Sequence, residues 1–136
     1  MEIHDNLAIA RRFIAALASP DGDPIAFYAD DVVQQEFPNR LVPNGATRDL
    51  AALREGRRRG RGLMRNEEYD EHNAIASDDL VMMELTWRGT IAIDAGPFKA
   101  GQVLRARFAI VLEFRDGRIV RQRNYDCFDA WDAPAS

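Results

Sequence analysis

The chain has 136 residues, 46% of them hydrophobic, which suits one compact domain with a real core and leaves too little for two. Its formal net charge of −4 argues against a general polyanion-binding surface, so no nucleic-acid partner is expected. One cysteine, Cys127, excludes an intramolecular disulfide, and no apolar run approaches the length of a membrane span. The opening "MEIHDNLAIA" lacks a basic segment ahead of an apolar run and does not read as a secretory signal, so a cytoplasmic protein without a membrane partner is expected.

In chain order, Asp5 can cap a first helix in which Leu7, Ala10, Phe13, Ile14 and Leu17 form one apolar stripe ending near Ser19. After the turn "SPDGDP", Asp23 and Pro24 signal a short second helix through Ile25, Phe27 and Tyr28. "DDVVQQEF" reads as a strand stopped by Pro38, and "NRLVPNG" as a loop. Thr47 is the expected cap of a third helix carrying Leu50 and Leu53, which weakens at the glycines of "REGRRRGRG". Four strands in series are then expected, over residues 66–76, 80–93, 103–115 and 118–128. "SDD" and "RDG" suit tight hairpin turns, while "DAGPFKAG" is a longer connection. Along 103–115, Leu104, Ala106, Phe108, Ile110, Leu112 and Phe114 alternate with Arg105, Arg107, Ala109, Val111, Glu113 and Arg115, which defines an apolar inner face. Helices first and an antiparallel sheet afterwards make an α+β domain with helices on one sheet face, over residues 1–136.

The last strand is unusual. In "RIVRQRNYDCFDAW", Gln122, Asn124 and Asp126 occupy one face, where a core-facing row would be apolar. Such a face can border a pocket. The order of elements, with "FYADDVVQQEF" after a short helix and "FRDGRIVRQRNYD" as a closing hairpin, resembles the NTF2-like superfamily. That superfamily includes nuclear transport factor 2, ketosteroid isomerases and SnoaL-type polyketide cyclases. The resemblance implies three N-terminal helices on a strongly curved, mainly antiparallel sheet forming a cone whose hollow holds a small molecule.

Function must come from the site, because one fold hosts unrelated activities. By the resemblance, Glu36 falls at or beside the position of the ketosteroid isomerase base. The other isomerase groups are replaced by Phe13 and by Ile110 or its neighbour, so a developing dienolate lacks hydrogen-bond donors and steroid isomerisation is not expected. The last-strand aspartate of limonene-type epoxide hydrolases corresponds to Asn124, which cannot act as a base. SnoaL-like cyclases need one placed acid/base, and Asp126 is the candidate, with Glu36 or His72 assisting. A carboxyl in an apolar hollow should have a raised pKa. Tyr28, Trp87 and Phe108 are candidate ligand contacts, Met83 a further pocket or core residue, Gln122 and Asn124 candidate hydrogen-bond partners, and His72 a proton carrier if it faces inward.

Each candidate also has a plainer role: Asp126 as a structural acceptor, Glu36 as a solvated rim residue, His72 as a surface residue, the aromatics as core. The arginines of "REGRRRGR" spread around a helix and read as a solvated end, and Cys127 reads as a small buried hydrophobe. Two histidines and one cysteine at no ligand spacing give no metal site, and no cofactor is expected. The expected function is binding of a small apolar carbonyl- or hydroxyl-bearing ligand, with acid–base isomerase, cyclase or hydrolase chemistry. The alternative is a non-catalytic ligand-binding or protein-interaction module. The opposite sheet face, where Arg105, Arg107, Arg121 and Arg123 mix with Met82 and Tyr125, suits a homodimer interface.

Overall fold

The computed structural model describes residues 5–131. Helix α1, Asn6–Ala18, begins where the Asp5 side chain accepts a hydrogen bond from the Ala8 N–H at 3.0 Å, and it buries Ala10, Phe13 and Ile14. The second expected helix is a single 3₁₀ turn, Pro24–Phe27, so the fold has two α-helices rather than three. The turn ends because Tyr28 takes extended backbone angles and enters strand β1, Tyr28–Glu36.

Strand β2, Ala46–Arg48, pairs antiparallel with the end of β1 and places Arg48 opposite Gln34. This short pairing displaces the expected cap: Thr47 lies in β2, and the next helix, α2 (Leu50–Gly60), is capped by Asp49, which accepts from the Ala52 N–H at 2.9 Å. Gly45 makes the approach possible with φ +66°, and a Cβ there would lie 2.6 Å from the Glu36 carbonyl oxygen. Helix α2 continues through its arginines. Arg57 is not solvated like its neighbours: its guanidinium donates to the carbonyls of Ala16, Leu17, Ser19 and Gly22, closing the C-terminal end of α1, while Arg58 and Arg59 pair with Glu55 on the surface.

The remaining strands are β3 (Met64–Ser77), β4 (Leu80–Ile91), β5 (Val103–Arg115) and β6 (Arg118–Phe128), within two residues of expectation at each end. The six-stranded sheet has the order β2-β1-β6-β5-β4-β3, parallel only between β1 and β6. The β5–β6 hairpin turns on Asp116 and Gly117, both at positive φ, as a two-residue turn matching strand twist requires. The inner face divides into two clusters. Under α1, Phe13, Val81, Leu85, Leu112 and Ile119 make a dry core. Beyond it lie Trp87, Ile91, Leu104 and Ala106, with Tyr69, Phe98, Phe108, Phe128 and Trp131 packed against them.

Candidate functional site

The second cluster is hollow. A cavity of about 380 Å³ opens between the inner faces of β3 to β6 and the connections flanking β2 and β3. Trp87 and Phe108 stack 5.7 Å apart on neighbouring strands, and Phe128 meets both edge-on. The Trp87 indole lies over Gly89, where an added Cβ would come within 2.5 Å of a ring carbon. Only glycine lets the indole lie flat there. Size and apolar walls suit a small molecule, and the polar groups decide what it can be.

Asp126 enters this cavity from β6, opposite Phe108. Its carboxyl has no hydrogen bond or ion pair within the described protein. Burial pushes its pKa up to about 7, the neighbouring charge of Glu36 adds to the rise, and Arg48 opposes it. Glu67, on β3, lines the cavity too; its Oε1 accepts from the Trp87 indole N–H at 3.1 Å. Burial raises the Glu67 pKa, while the Trp87 hydrogen bond and Arg57 pull it back. Between them in charge terms stands Tyr69, whose phenol is pushed up first by burial and then by Glu67 and Asp126.

Glu36 reaches the same cavity from the end of β1, but its two oxygens are engaged. Oε1 accepts from Arg48 Nη1 at 2.8 Å and Oε2 from Asn39 Nδ2 at 2.8 Å. The same Arg48 nitrogen donates to Gln34 Oε1 at 2.8 Å. Parallel pairing puts Glu36 opposite Asn124 and Gln34 opposite Gln122, so the polar row of β6 continues into β1.

The other sequence candidates fall in different places. Trp87 and Phe108 are walls. Tyr28, Gln122 and Asn124 form a relay beside the cavity without lining it: the Tyr28 hydroxyl donates to Gln122 Oε1 at 2.6 Å, and Gln122 Nε2 donates to Asn124 Oδ1 at 2.9 Å. Burial raises the Tyr28 pKa, keeping the phenol neutral as a donor. Met83 belongs to the dry core. His72 does not face the cavity: it is exposed, with Nε2 2.5 Å from Thr86 Oγ1. Alternation explains this: Glu67 and Tyr69 take the cavity face and Glu71 turns to Arg11 of α1, so His72 falls on the outer face beside Asp70 and Thr86. Cys127 is also exposed, because alternation sends it to the opposite face from Asp126.

Glu67, Arg48 and Asn39 were missed by sequence reasoning. A signal for Glu67 existed, since it precedes the inward aromatic Tyr69 by two strand positions. Arg48 and Asn39 had none, because only the loop that returns β2 to β1 brings them to Glu36. Among the described residues, no group of three or more His, Cys, Asp or Glu is placed to hold a metal ion.

A model of the SnoaL-like domain matches residues 10–122. The chain belongs to the SnoaL-like domain family. Its fold is NTF2-like, as solved structures agree. IdmH of Streptomyces antibioticus, a candidate polyketide cyclase, is 20% identical with a TM-score of 0.74, covering 90% of this chain and 92% of its own. AclR of Streptomyces galilaeus, a candidate hydroxylase, is 18% identical with a TM-score of 0.73, covering 90% and 88%. An LEH-like epoxide hydrolase of M. tuberculosis is 26% identical with a TM-score of 0.67, covering 93% and 84%. No curated protein matches this SnoaL-like chain by sequence.

Proposed function

We propose that residues 1–136 form one SnoaL-like domain whose sheet curls into a cone, and that Asp126 performs general acid–base chemistry there on a small apolar carbonyl- or hydroxyl-bearing ligand. The observation that carries this is an unpartnered Asp126 carboxyl with a pKa of about 7 in an aromatic cavity. Near neutral pH such a group can donate a proton to a carbonyl or leaving oxygen in its neutral form and accept one from carbon or water in its ionised form. Glu36, held by Arg48 and Asn39, assists by keeping that pKa high. Isomerisation, cyclisation and hydrolysis all need this proton transfer, and the names of the similar structures span the last two.

Steroid-type isomerisation is the least supported, because Phe13 is buried beneath Tyr28 and Ile110 is buried and apolar, leaving no donors at those positions. The test is a thermal-stabilisation screen of apolar ketones, lactones and epoxides, followed by turnover assays of the hits. Asp126→Asn should retain its fold and lose turnover. Unchanged turnover in that variant would remove Asp126 from the chemistry.

One observation favours a second reading, a non-catalytic binding module: both Glu36 oxygens are taken, so Asp126 has no free partner on β1. Hits that stabilise the protein and are never consumed would select it. The outer sheet face exposes Met82 and Tyr125 at 47% and 44% among arginines, and we infer a homodimer through it. Light scattering giving only the 15.4 kDa monomer at micromolar concentration would refute that. An exposed, unpaired Cys127 supports a reducing compartment such as the cytoplasm.

A further inference from the structure

Among the described residues, the cavity wall contains three acidic side chains, Glu36, Glu67 and Asp126, and no lysine, arginine or histidine. The cations that act on Asp126 and Glu67, Arg48 and Arg57, are engaged elsewhere. Arg48 is bonded to Glu36 and Gln34, and Arg57 to four backbone carbonyls. Asp126 therefore faces a partly open aromatic space in which the cation that acts on it, Arg48, is already bonded to Glu36 and Gln34, an arrangement that is unfavourable unless the group is neutral or something else brings the charge. The Tyr69 hydroxyl lines the same space and also lacks a hydrogen bond within the described protein. Aromatic faces attract cations through their quadrupole, most strongly when water is excluded, and Trp87 and Phe108 present such a wall. The same cluster already receives a cation at its outer end, where the Arg40 guanidinium lies 5.6 Å from the Trp131 ring, which packs edge-on against Phe98 and Phe128.

We propose that the ligand of this cavity carries a positively charged nitrogen, an amine or quaternary ammonium group, held between the Trp87 and Phe108 wall and the carboxyls of Asp126 and Glu67. This rests on the cavity being the ligand site and adds the charge of what enters it. An anionic ligand is disfavoured by the same three carboxyls.

The proposal fixes a pH signature. Asp126 is faced by Glu36 and Arg48 from β1 and β2, and by Tyr69 and Glu67 across the cavity. As pH rises through the region near 7, Asp126 ionises and its attraction for a cation grows, so cation affinity should increase. A neutral carbonyl ligand that accepts a hydrogen bond from protonated Asp126 would show the opposite slope.

Benzyltrimethylammonium and its neutral carbon isostere neopentylbenzene separate the possibilities, because they share shape and differ in charge. Titrations followed by tryptophan fluorescence and calorimetry at pH 5.5 and 8.5 should show the cation binding at least tenfold more tightly than the isostere at the higher pH. The advantage should shrink at the lower pH and be largely lost in Asp126→Asn, and it should weaken in Glu67→Gln, where an amide oxygen can still accept from Trp87. Equal or reversed affinities, or an advantage that survives in Asp126→Asn, would overturn the cation assignment and leave the cavity as a site for neutral ligands. If neither probe nor any apolar ketone binds, the cation assignment and the ligand-site reading both fail.

Discussion

The inner sheet face is built twice from the same strands, once as core and once as cavity. On β4, Leu85 belongs to the first and Trp87, the next inward position, to the second; on β5 the same boundary runs between Ile110 and Phe108. Where α1 lies over the sheet, Phe13, Leu85 and Leu112 are sealed, and the buried Gln122 accepts from the Tyr28 hydroxyl. Where α1 does not reach, larger rings line the space without filling it, and carboxyls enter. Strand alternation alone does not separate a core from a cavity. The helix lying over one part of the face and not the other does.

The largest expected effect is on the sealed half. Phe13→Ala should cost about 3–5 kcal/mol in urea unfolding, because the ring contacts Phe27 and Tyr28 in a space that cannot refill. Phe108→Ala, in the open half, should cost clearly less, since its ring already borders empty volume. Equal losses would erase the distinction between the halves.

Next is Asp126. Its folded pKa of about 7 lies above the ordinary value of 3.8, so the protein binds this proton more tightly folded than unfolded. The resulting stabilisation is complete below about pH 4 and is lost as pH rises from there through about 7, which leaves an ionised carboxylate as a liability at pH 8. Asp126→Asn should therefore raise stability at pH 8 by about 1–2 kcal/mol, a figure reduced from the full linkage value because the carboxyl keeps some contact with solvent. At pH 3.5 the variant and the parent should be nearly equal. A destabilised variant at pH 8 would make Asp126 a structural acceptor and undo its assignment to the site.

The smallest expected effect is the most local. Gly89→Ala forces the Trp87 indole off its seat toward the cavity, at a stability change of about 1 kcal/mol or less because the ring has space to move into. Tryptophan emission should shift and ligand affinity should fall. An unchanged spectrum would show that the indole does not depend on Gly89 for its position.

Much of this was legible beforehand. The stripe of α1, the alternation of β5, the "RDG" turn and the polar row of β6 are set by local preferences and by the period of side-chain direction, which a sequence displays directly. The resemblance to the NTF2-like superfamily followed from the same strands.

What the sequence could not display are features created by distant segments meeting. The cap moved from Thr47 to Asp49 because β2 claimed Thr47 for pairing with β1. His72 lies outside the cavity because Glu67 and Tyr69 take the inner face, and a bulge at Glu71–Asn73, which no residue announces, reverses the alternation beyond it, so the sequence alone does not say which face of β3 is inner. Arg57 looks like any of its neighbouring arginines until the end of α1 is laid against it. The charge state of Asp126 depends on burial by β3 and β5 and on Glu36, 90 residues earlier in the chain, and so is a property of the tertiary structure alone. Side-chain direction is a local quantity, whereas desolvation and charge proximity are sums over everything nearby, and only the folded chain determines what is near.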